Sequence, residues 1–147
     1  MEVTREMART MAEWWGDRIR GNVRHDNGDH DNLASVFAGL LADSMMKTVD
    51  EAKVNKFVDI LTEKILEQAK ENPFALRHLL VCDYAPDKFL SDAAKEAGID
   101  SANFPWKTGM GIWETKDGGV DIQVYAGYQA PWVKIWPKGE ENDYRLH

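Results

Sequence analysis

The spacing of apolar residues changes once along the chain, and this change constrains the fold more than any other feature. In residues 4–23 apolar side chains recur at every fourth position, which places them on one face of a helix. From about residue 107 apolar and polar residues alternate instead, as in strands that bury one face. Helices followed by a sheet predict an α+β fold, with three or four N-terminal helices packed on a small C-terminal antiparallel sheet of about three strands. The 147 residues fit one domain, which we assign to residues 1–137, with residues 138–147 as a mobile tail.

The first two helices are predicted from their apolar stripes. One covers residues 4–23, and the other runs from Leu33 to about Met46. The residues predicted to face inward are Met7, Met11, Trp15, Ile19 and Val23 in the first helix, and Leu33, Val36, Phe37, Leu40, Leu41 and Met45 in the second.

The third and fourth helices also carry start and stop signals. A capping box at Thr48-Val49-Asp50-Glu51 predicts the start of the third helix, with the Thr48 hydroxyl and the Glu51 carboxylate accepting from free backbone donors. This helix should end near Glu71. The fourth should begin near Pro86 and stop at Gly98. The inward-facing residues are Val54, Phe57, Val58, Leu61 and Ile65 in the third helix, and Phe89, Leu90, Ala93, Ala94 and Ala97 in the fourth.

Residues 74–84, FALRHLLVCDY, are compatible with two structures. Asn72 as a cap and Pro73 at the first helical position would open a short helix. The apolar run LLVCDY would equally suit a buried strand. The sequence leaves both alternatives open.

The last third of the chain has the pattern of a β-hairpin. Asp117-Gly118 is a strong turn signal between two alternating segments in residues 107–127. In the second segment one face is apolar and the other carries polar groups: Val120, Ile122 and Val124 alternate with Asp121, Gln123 and Tyr125. The segment PWVKIWP predicts a third strand, and its flanking Pro131 and Pro137 suit the edge of the sheet.

The segment RHDNGDHDN, residues 24–32, is the first candidate for chemistry. His25, Asp26, Asp29, His30 and Asp31 are possible metal ligands. An EF-hand calcium loop is excluded because its glycine and its final glutamate do not fall at the required spacing. A polar loop explains more of the residues: Asn-Gly supplies a turn, and an Asp or Asn caps the following helix. We therefore predict no metal site, and a metal-dependent enzyme built on this loop stays an alternative.

Cys82 and His78 are a second candidate, as a nucleophile and its base. A catalytic cysteine needs a base that the fold brings to it and a third group that orients the base. Free cysteines are among the most buried residues in proteins. We therefore interpret Cys82 as a core thiol beside a surface histidine, and we predict no catalytic residues and no cofactor.

The charge pattern bears on possible partners and on the cellular setting. The net charge is −7, and residues 25–100 carry eight basic and fifteen acidic groups. Without a cluster of Lys and Arg, direct binding to nucleic acid is disfavoured. The N-terminus MEVTREMART lacks the apolar stretch of a signal peptide, no apolar run is long enough for a membrane span, and there is one cysteine. We expect a cytoplasmic protein that does not enter a membrane.

Six tryptophans are many for this length, and four of them fall in the last third of the chain. These aromatic residues could pack against the helices, or they could form an exposed platform for a partner. We predict that Trp106, Tyr125, Tyr128 and Trp132 form a partner-binding surface, because strand alternation sends Tyr125 away from the buried face. The partner would be another protein or a second copy of this chain.

Three short segments resemble small hypothetical proteins of bacterial phages and prophages. They are Cys82-Asp83-Tyr84-Ala85-Pro86-Asp87, Ala97-Gly98-Ile99 and Asn103-Phe104-Pro105-Trp106-Lys107-Thr108-Gly109-Met110, within a similarity over residues 80–127. The resemblance implies context rather than chemistry. Short, acidic phage proteins without catalytic motifs are often inhibitors of host defence, anti-CRISPR proteins among them. The expected function is therefore a non-enzymatic binding protein of this inhibitor type, and the alternative is a protein that sequesters a small nucleotide-like ligand.

Overall fold

The computed structural model describes residues 1–21 and 49–138. This part of the chain contains four α-helices and a four-stranded antiparallel sheet, so the α+β prediction is confirmed. The helices are α1 (Arg5–Gly21), α2 (Glu51–Glu71), α3 (Leu76–Leu79) and α4 (Lys88–Ala97), with 3₁₀ turns at Pro73–Ala75 and Ser101–Asn103. The strands are β1 (Val81–Cys82), β2 (Thr108–Glu114), β3 (Val120–Ala126) and β4 (Val133–Trp136). The segment RHDNGDHDN, the helix predicted from Leu33 and the tail beyond residue 138 lie outside the described residues.

The predicted stripes of the described helices face the core. Met11, Trp15 and Ile19 of α1 are buried, and Met7 is half-buried. All five predicted residues of α2 are buried, as are those of α4 except the half-buried Phe89. Helical periodicity identified these faces because each helix is long enough to repeat its pattern over several turns.

Helices α1 and α2 pack side by side in opposite directions. Arginines along α1 pair with carboxylates in reverse order along α2: Arg5 with Glu63, Arg9 with Asp59 at 2.7 Å, and Arg20 with Glu51 at 2.9 Å. These side chains are largely exposed, so the ion pairs add little stability. Their order along the two helices matches the antiparallel orientation.

The ends of α2 and α4 are fixed by side-chain caps. The carboxylate of Asp50 accepts from the backbone N–H of Ala52 at 3.0 Å and caps α2. The predicted capping box at Thr48 is therefore wrong in its capping residue, because an aspartate two positions later caps at least as well and its charge suits the positive end of the helix. Asp87 caps α4 through the N–H of Phe89, and Gly98 ends α4 with φ 81°, as predicted.

The ambiguous segment after α2 contains both of the predicted structures. Asn72 accepts from the N–H of Phe74 at 3.1 Å, and Pro73 opens the 3₁₀ turn that leads into α3. The chain then extends into β1, a strand of two residues. A short helix and a short strand follow each other because Leu76, Leu80 and Cys82 all reach the core.

The sheet has the order β1-β2-β3-β4, with every neighbouring pair antiparallel. The hairpin predicted around Asp117-Gly118 joins β2 and β3, and β4 lies at the edge, as its prolines indicated. Val120, Ile122 and Val124 of β3 are buried on one face. They belong to the same core cluster as the inward residues of the helices. The described helices therefore cover this inner face of the sheet and leave its other face uncovered.

Among the helices within residues 1–21 and 49–138, none has the length and apolar composition that crossing a lipid bilayer requires.

Candidate functional site

The outer side of the sheet, opposite the helices, carries an unusual combination of glycine and large aromatic residues. In β2, Met110 and Ile112 are buried in the core, and alternation sends Gly109, Gly111 and Trp113 outward. The register with β3 places Gly109 opposite Tyr125 and Trp113 opposite Asp121. Tyr125 therefore lies on the outer side, as alternation predicted.

The two glycines form a floor on which aromatic rings lie. A Cβ atom added at Gly109 would come within 2.6 Å of the Tyr125 hydroxyl oxygen. A Cβ atom at Gly111 would come within 2.8 Å of Cζ3 in the Trp113 ring, with another ring atom closer still. Both rings thus lie across β2, in space that any larger residue at these positions would occupy.

Trp132, just before β4, joins the two rings. Its ring packs edge-on against Tyr125 at 4.7 Å between centroids and against Trp113 at 5.4 Å. Such perpendicular contacts are favourable arrangements for aromatic pairs. We call Trp113, Tyr125 and Trp132 the aromatic face. Trp132 remains 40% exposed and is the outermost of the three.

Arg77 of α3 secures one border of the aromatic face. Its Nε donates to the backbone carbonyl of Ile112 at 2.8 Å, beyond the end of the short strand β1. Its guanidinium also lies 5.8 Å from the ring centroid of Trp113. Arg77 thereby closes a stretch of sheet edge that would otherwise offer its backbone to other strands.

A second cluster lies at the opposite end of β2, where β1 and β2 meet. Tyr84 and Trp106 pack at right angles, with 5.4 Å between ring centroids. The ammonium of Lys107 lies 4.5 Å above the Tyr84 ring and 2.6 Å from Oδ1 of Asp83. Hydrogen bonding to Asp83 raises the pKa of Lys107. We call these four residues, Asp83, Tyr84, Trp106 and Lys107, the Asp83 corner.

The aromatic face and the Asp83 corner adjoin each other. Burial raises the pKa of Tyr125, the negative charge of Asp83 raises it further, and the positive charge of Lys107 opposes both. Tyr125 therefore lies within electrostatic reach of the corner while its ring contacts Trp132. Backbone pairing joins the two clusters, because the carbonyl of Lys107 accepts from the N–H of Gly127 at 2.9 Å, two residues beyond Tyr125.

Tyr128 is the predicted site residue that the structure does not join to the others. It is 73% exposed in the turn between β3 and β4, and no other described ring contacts it. The turn is closed by the N–H of Ala130 donating to the carbonyl of Gly127 at 3.2 Å. Gln129 has φ 60°, a conformation that costs energy for a residue with a side chain.

Replacing Gln129 by glycine should stabilise the protein by about 1 kcal/mol, because glycine adopts positive φ without a steric penalty. The same substitution at Gln68, inside α2, should have the opposite effect, since glycine disfavours a helix interior. Urea unfolding of both variants measures the difference. A Gln129→Gly variant less stable than the original protein would contradict the strained turn.

Cys82 and His78, the second candidate pair, lie in different environments. Cys82 is buried in β1, and His78 is exposed on α3. Burial, with a smaller effect of the Asp83 charge, raises the pKa of the Cys82 thiol to about 11. The thiol therefore keeps its proton at neutral pH, which supports the interpretation as a core residue.

Within residues 1–21 and 49–138, no three His, Cys, Asp or Glu side chains are arranged to hold a metal ion. The ligands proposed in the alternative metal site, from His25 to Asp31, lie outside these ranges. That alternative is therefore not addressed by the described geometry.

Sequence reasoning included Tyr125, Trp132 and Trp106 in the candidate site, but it did not include the rings that Trp132 and Trp106 contact, Trp113 and Tyr84. Trp113 could have been found, because it has the opposite parity to Met110 and Ile112 in a predicted strand. The roles of Tyr84 and Arg77 had no signal, since each acts through a contact with a distant part of the chain.

Comparisons with protein-family models, with curated proteins and with solved structures found no match to this chain. The functional proposal below therefore depends on the chemistry of the surface.

Proposed function

We propose that this protein is a non-enzymatic binding protein that engages another protein through the aromatic face and the Asp83 corner. The observation that carries the proposal is the exposure of large aromatic side chains in these two clusters: 63% for Tyr84, 64% for Trp106 and 40% for Trp132. Exposed tryptophan and tyrosine give large contact areas at a small cost in side-chain entropy, and they are common anchors of protein interfaces.

The charges of this surface favour a protein over a nucleic acid. Aromatic platforms that stack bases combine their rings with a groove of free cations. Here Lys107 pairs with Asp83, and Lys134 lies 3.7 Å from Asp121. The chain as a whole carries a net charge of −7, which repels a phosphate backbone.

The alternative of a small-ligand binder would need a closed, largely apolar pocket with a few convergent polar groups. A pocket of about 240 Å³ lies between α1 and α2, but it is open and most of its lining is charged: Arg5, Glu63, Leu66, Glu67 and Lys70. Its chemistry does not favour this alternative. The other alternative, a metal-dependent enzyme using the His25–Asp31 loop, would be tested by calorimetric titration with Zn²⁺, Mn²⁺ and Ca²⁺.

Context favours two candidates for the partner. The resemblance to phage proteins makes a bacterial defence protein the first candidate, with this chain acting as a cytoplasmic inhibitor. A second copy of the chain is the other candidate, because an exposed aromatic surface can also pair with itself.

A paired Tyr125→Ala, Trp132→Ala variant tests the proposal. It should retain its far-UV circular dichroism but weaken binding at least about tenfold, since interface aromatics are frequent hot spots. The measurements are capture of partners from a bacterial lysate with mass spectrometry, and sedimentation equilibrium of the purified protein. A concentration-dependent dimer that the variant loses would identify the partner as a second copy.

The matched control removes two aromatic residues from the helical half, Trp14→Ala with Phe89→Ala. Both side chains are half-buried on helices away from the outer side of the sheet. This control should bind normally. A folded Tyr125, Trp132 variant that also binds normally would exclude the aromatic face, and an unfolded one would show that these rings are required by the core.

A further inference from the structure

We infer that the Asp83 corner recognises a cationic side chain, above all an arginine, of the partner protein, and that Lys107 occupies this cation site in the unbound protein. This inference rests on the proposed function and specifies the chemistry of the partner. The partner surface would be basic, of the kind that proteins use to hold nucleic acid.

The first support is the cation already present. The Lys107 ammonium makes the two contacts that a bound arginine or lysine would make, one with a carboxylate at 2.6 Å and one with an aromatic ring at 4.5 Å. Carboxylates and the faces of Tyr or Trp rings are the groups that attract such cations. The corner thus already binds a cation, but an internal one.

The second support is the unequal exposure of this ion pair. The Asp83 side chain is 62% exposed, whereas that of Lys107 is 31% exposed. The ammonium of Lys107 lies 2.6 Å from Oδ1 of Asp83. The corner therefore presents a carboxylate to an incoming molecule. An arginine can donate to both oxygens at once, which a lysine cannot match in geometry.

The third support is the arrangement of the rings. Trp106 stands at 79° to Tyr84, so the two rings form adjacent walls. Lys107 lies over Tyr84, and in the described part of the chain no cation lies over Trp106, which is 64% exposed. A guanidinium could stack on Trp106 while it bonds to Asp83.

The corner is held in place before any partner binds. The Lys107 N–H donates to the Asp83 carbonyl at 2.7 Å, and the Thr108 hydroxyl donates to the Trp106 carbonyl at 3.1 Å. Lys107 itself adopts φ 55°, a strained conformation that the surrounding hydrogen bonds maintain. A preorganised site loses less entropy on binding, so its contacts convert more fully into affinity.

Titration with short capped peptides tests the inference. One probe contains arginines separated by glycines, and a second contains lysines in the same positions. Isothermal titration calorimetry at physiological salt should show binding of the arginine peptide, with weaker binding of the lysine peptide. Asp83→Asn should weaken the arginine peptide about tenfold, and Trp106→Ala about threefold.

Two further variants make the result specific. Asp92→Asn is the matched control, because the Asp92 side chain is 46% exposed and also pairs with a lysine, Lys88, at 2.7 Å. It removes the same charge and should change the affinity less than about twofold. Lys107→Asn removes the internal cation, and asparagine tolerates the positive φ. This variant should bind the arginine peptide several-fold more tightly, because no internal cation then competes for the carboxylate of Asp83.

Several outcomes would overturn the inference. They are no binding of the arginine peptide, equal weakening by Asp83→Asn and Asp92→Asn, or no gain of affinity in Lys107→Asn. If these occur while partner capture still depends on Tyr125 and Trp132, the cation site is wrong and the proposed function stands. If partner capture is also independent of Tyr125 and Trp132, both proposals fail.

Discussion

Replacing Leu61 by alanine is expected to lower the free energy of unfolding by about 2–5 kcal/mol, the range for a fully buried leucine. Leu61 has no exposed surface, and it lies in the middle of α2 between the buried Val58 and Ile65. Alanine would remove contacts with the core and leave a cavity that the surrounding helices and sheet could fill only in part.

Leu66→Ala is the matched control, because it is the same substitution in the same helix. Leu66 is only half-buried and borders the core, so its loss should cost clearly less. Urea unfolding, followed by circular dichroism, gives the midpoints of both variants. Equal midpoints would mean that the buried face of α2 has been assigned to the wrong side of the helix.

The helical half was predictable because its signals are repeated. In α2 the buried residues recur from Val54 to Ile65, over about three turns, so the pattern identified the face even though the capping residue was wrong. An error of two positions at the start of a helix changes only the backbone hydrogen bonds of its first turn, whereas the packing of the stripe determines where the helix lies.

The strand β1 could not be predicted from the sequence as the helices could. Its two residues are too few to show alternation, and the preceding segment has a valid helix start at Asn72-Pro73. The strand forms because Val81 and Cys82 can pair with Gly109 and Thr108 of β2. Such a pairing depends on residues almost thirty positions away, which a local pattern does not contain.

The candidate site also has one part that the sequence predicts and one part that it does not. Alternation placed Tyr125 on the outer side of the sheet because β3 is long and regular. The pairing of Tyr84 with Trp106 was not predictable, because it follows from the contact between β1 and β2. The prediction joined Trp106 and Tyr128 to Tyr125 by their position in the sequence, whereas the structure places Trp106 in the Asp83 corner and leaves Tyr128 in an exposed turn.

The aromatic face itself depends on residues without side chains, and this makes a strong prediction. Gly111→Ala should lower the free energy of unfolding by about 1–3 kcal/mol, as overpacking does. The added methyl would overlap the Trp113 ring, which is wedged between Gly111, Trp132 and the guanidinium of Arg77. The ring would have to lift off β2, and its perpendicular contact with Trp132 would be lost.

Near-UV circular dichroism together with urea unfolding measures this displacement, because coupled tryptophan rings contribute strongly in that region. Gly21→Ala is the control: Gly21 ends α1, and alanine suits a helix better. Apart from its own helix and its chain neighbours, no atom of the described residues lies within 4 Å of the added methyl. It should leave the aromatic signal unchanged and the stability equal or slightly higher.

If Gly111→Ala behaves like the control, the Trp113 ring does not rest on β2, and the aromatic face is not held in one arrangement. If Gly111→Ala lowers both the near-UV signal and the stability, the three aromatic residues are still present but their arrangement has changed. The absence of a side chain at Gly111 is then what arranges the rings for a partner.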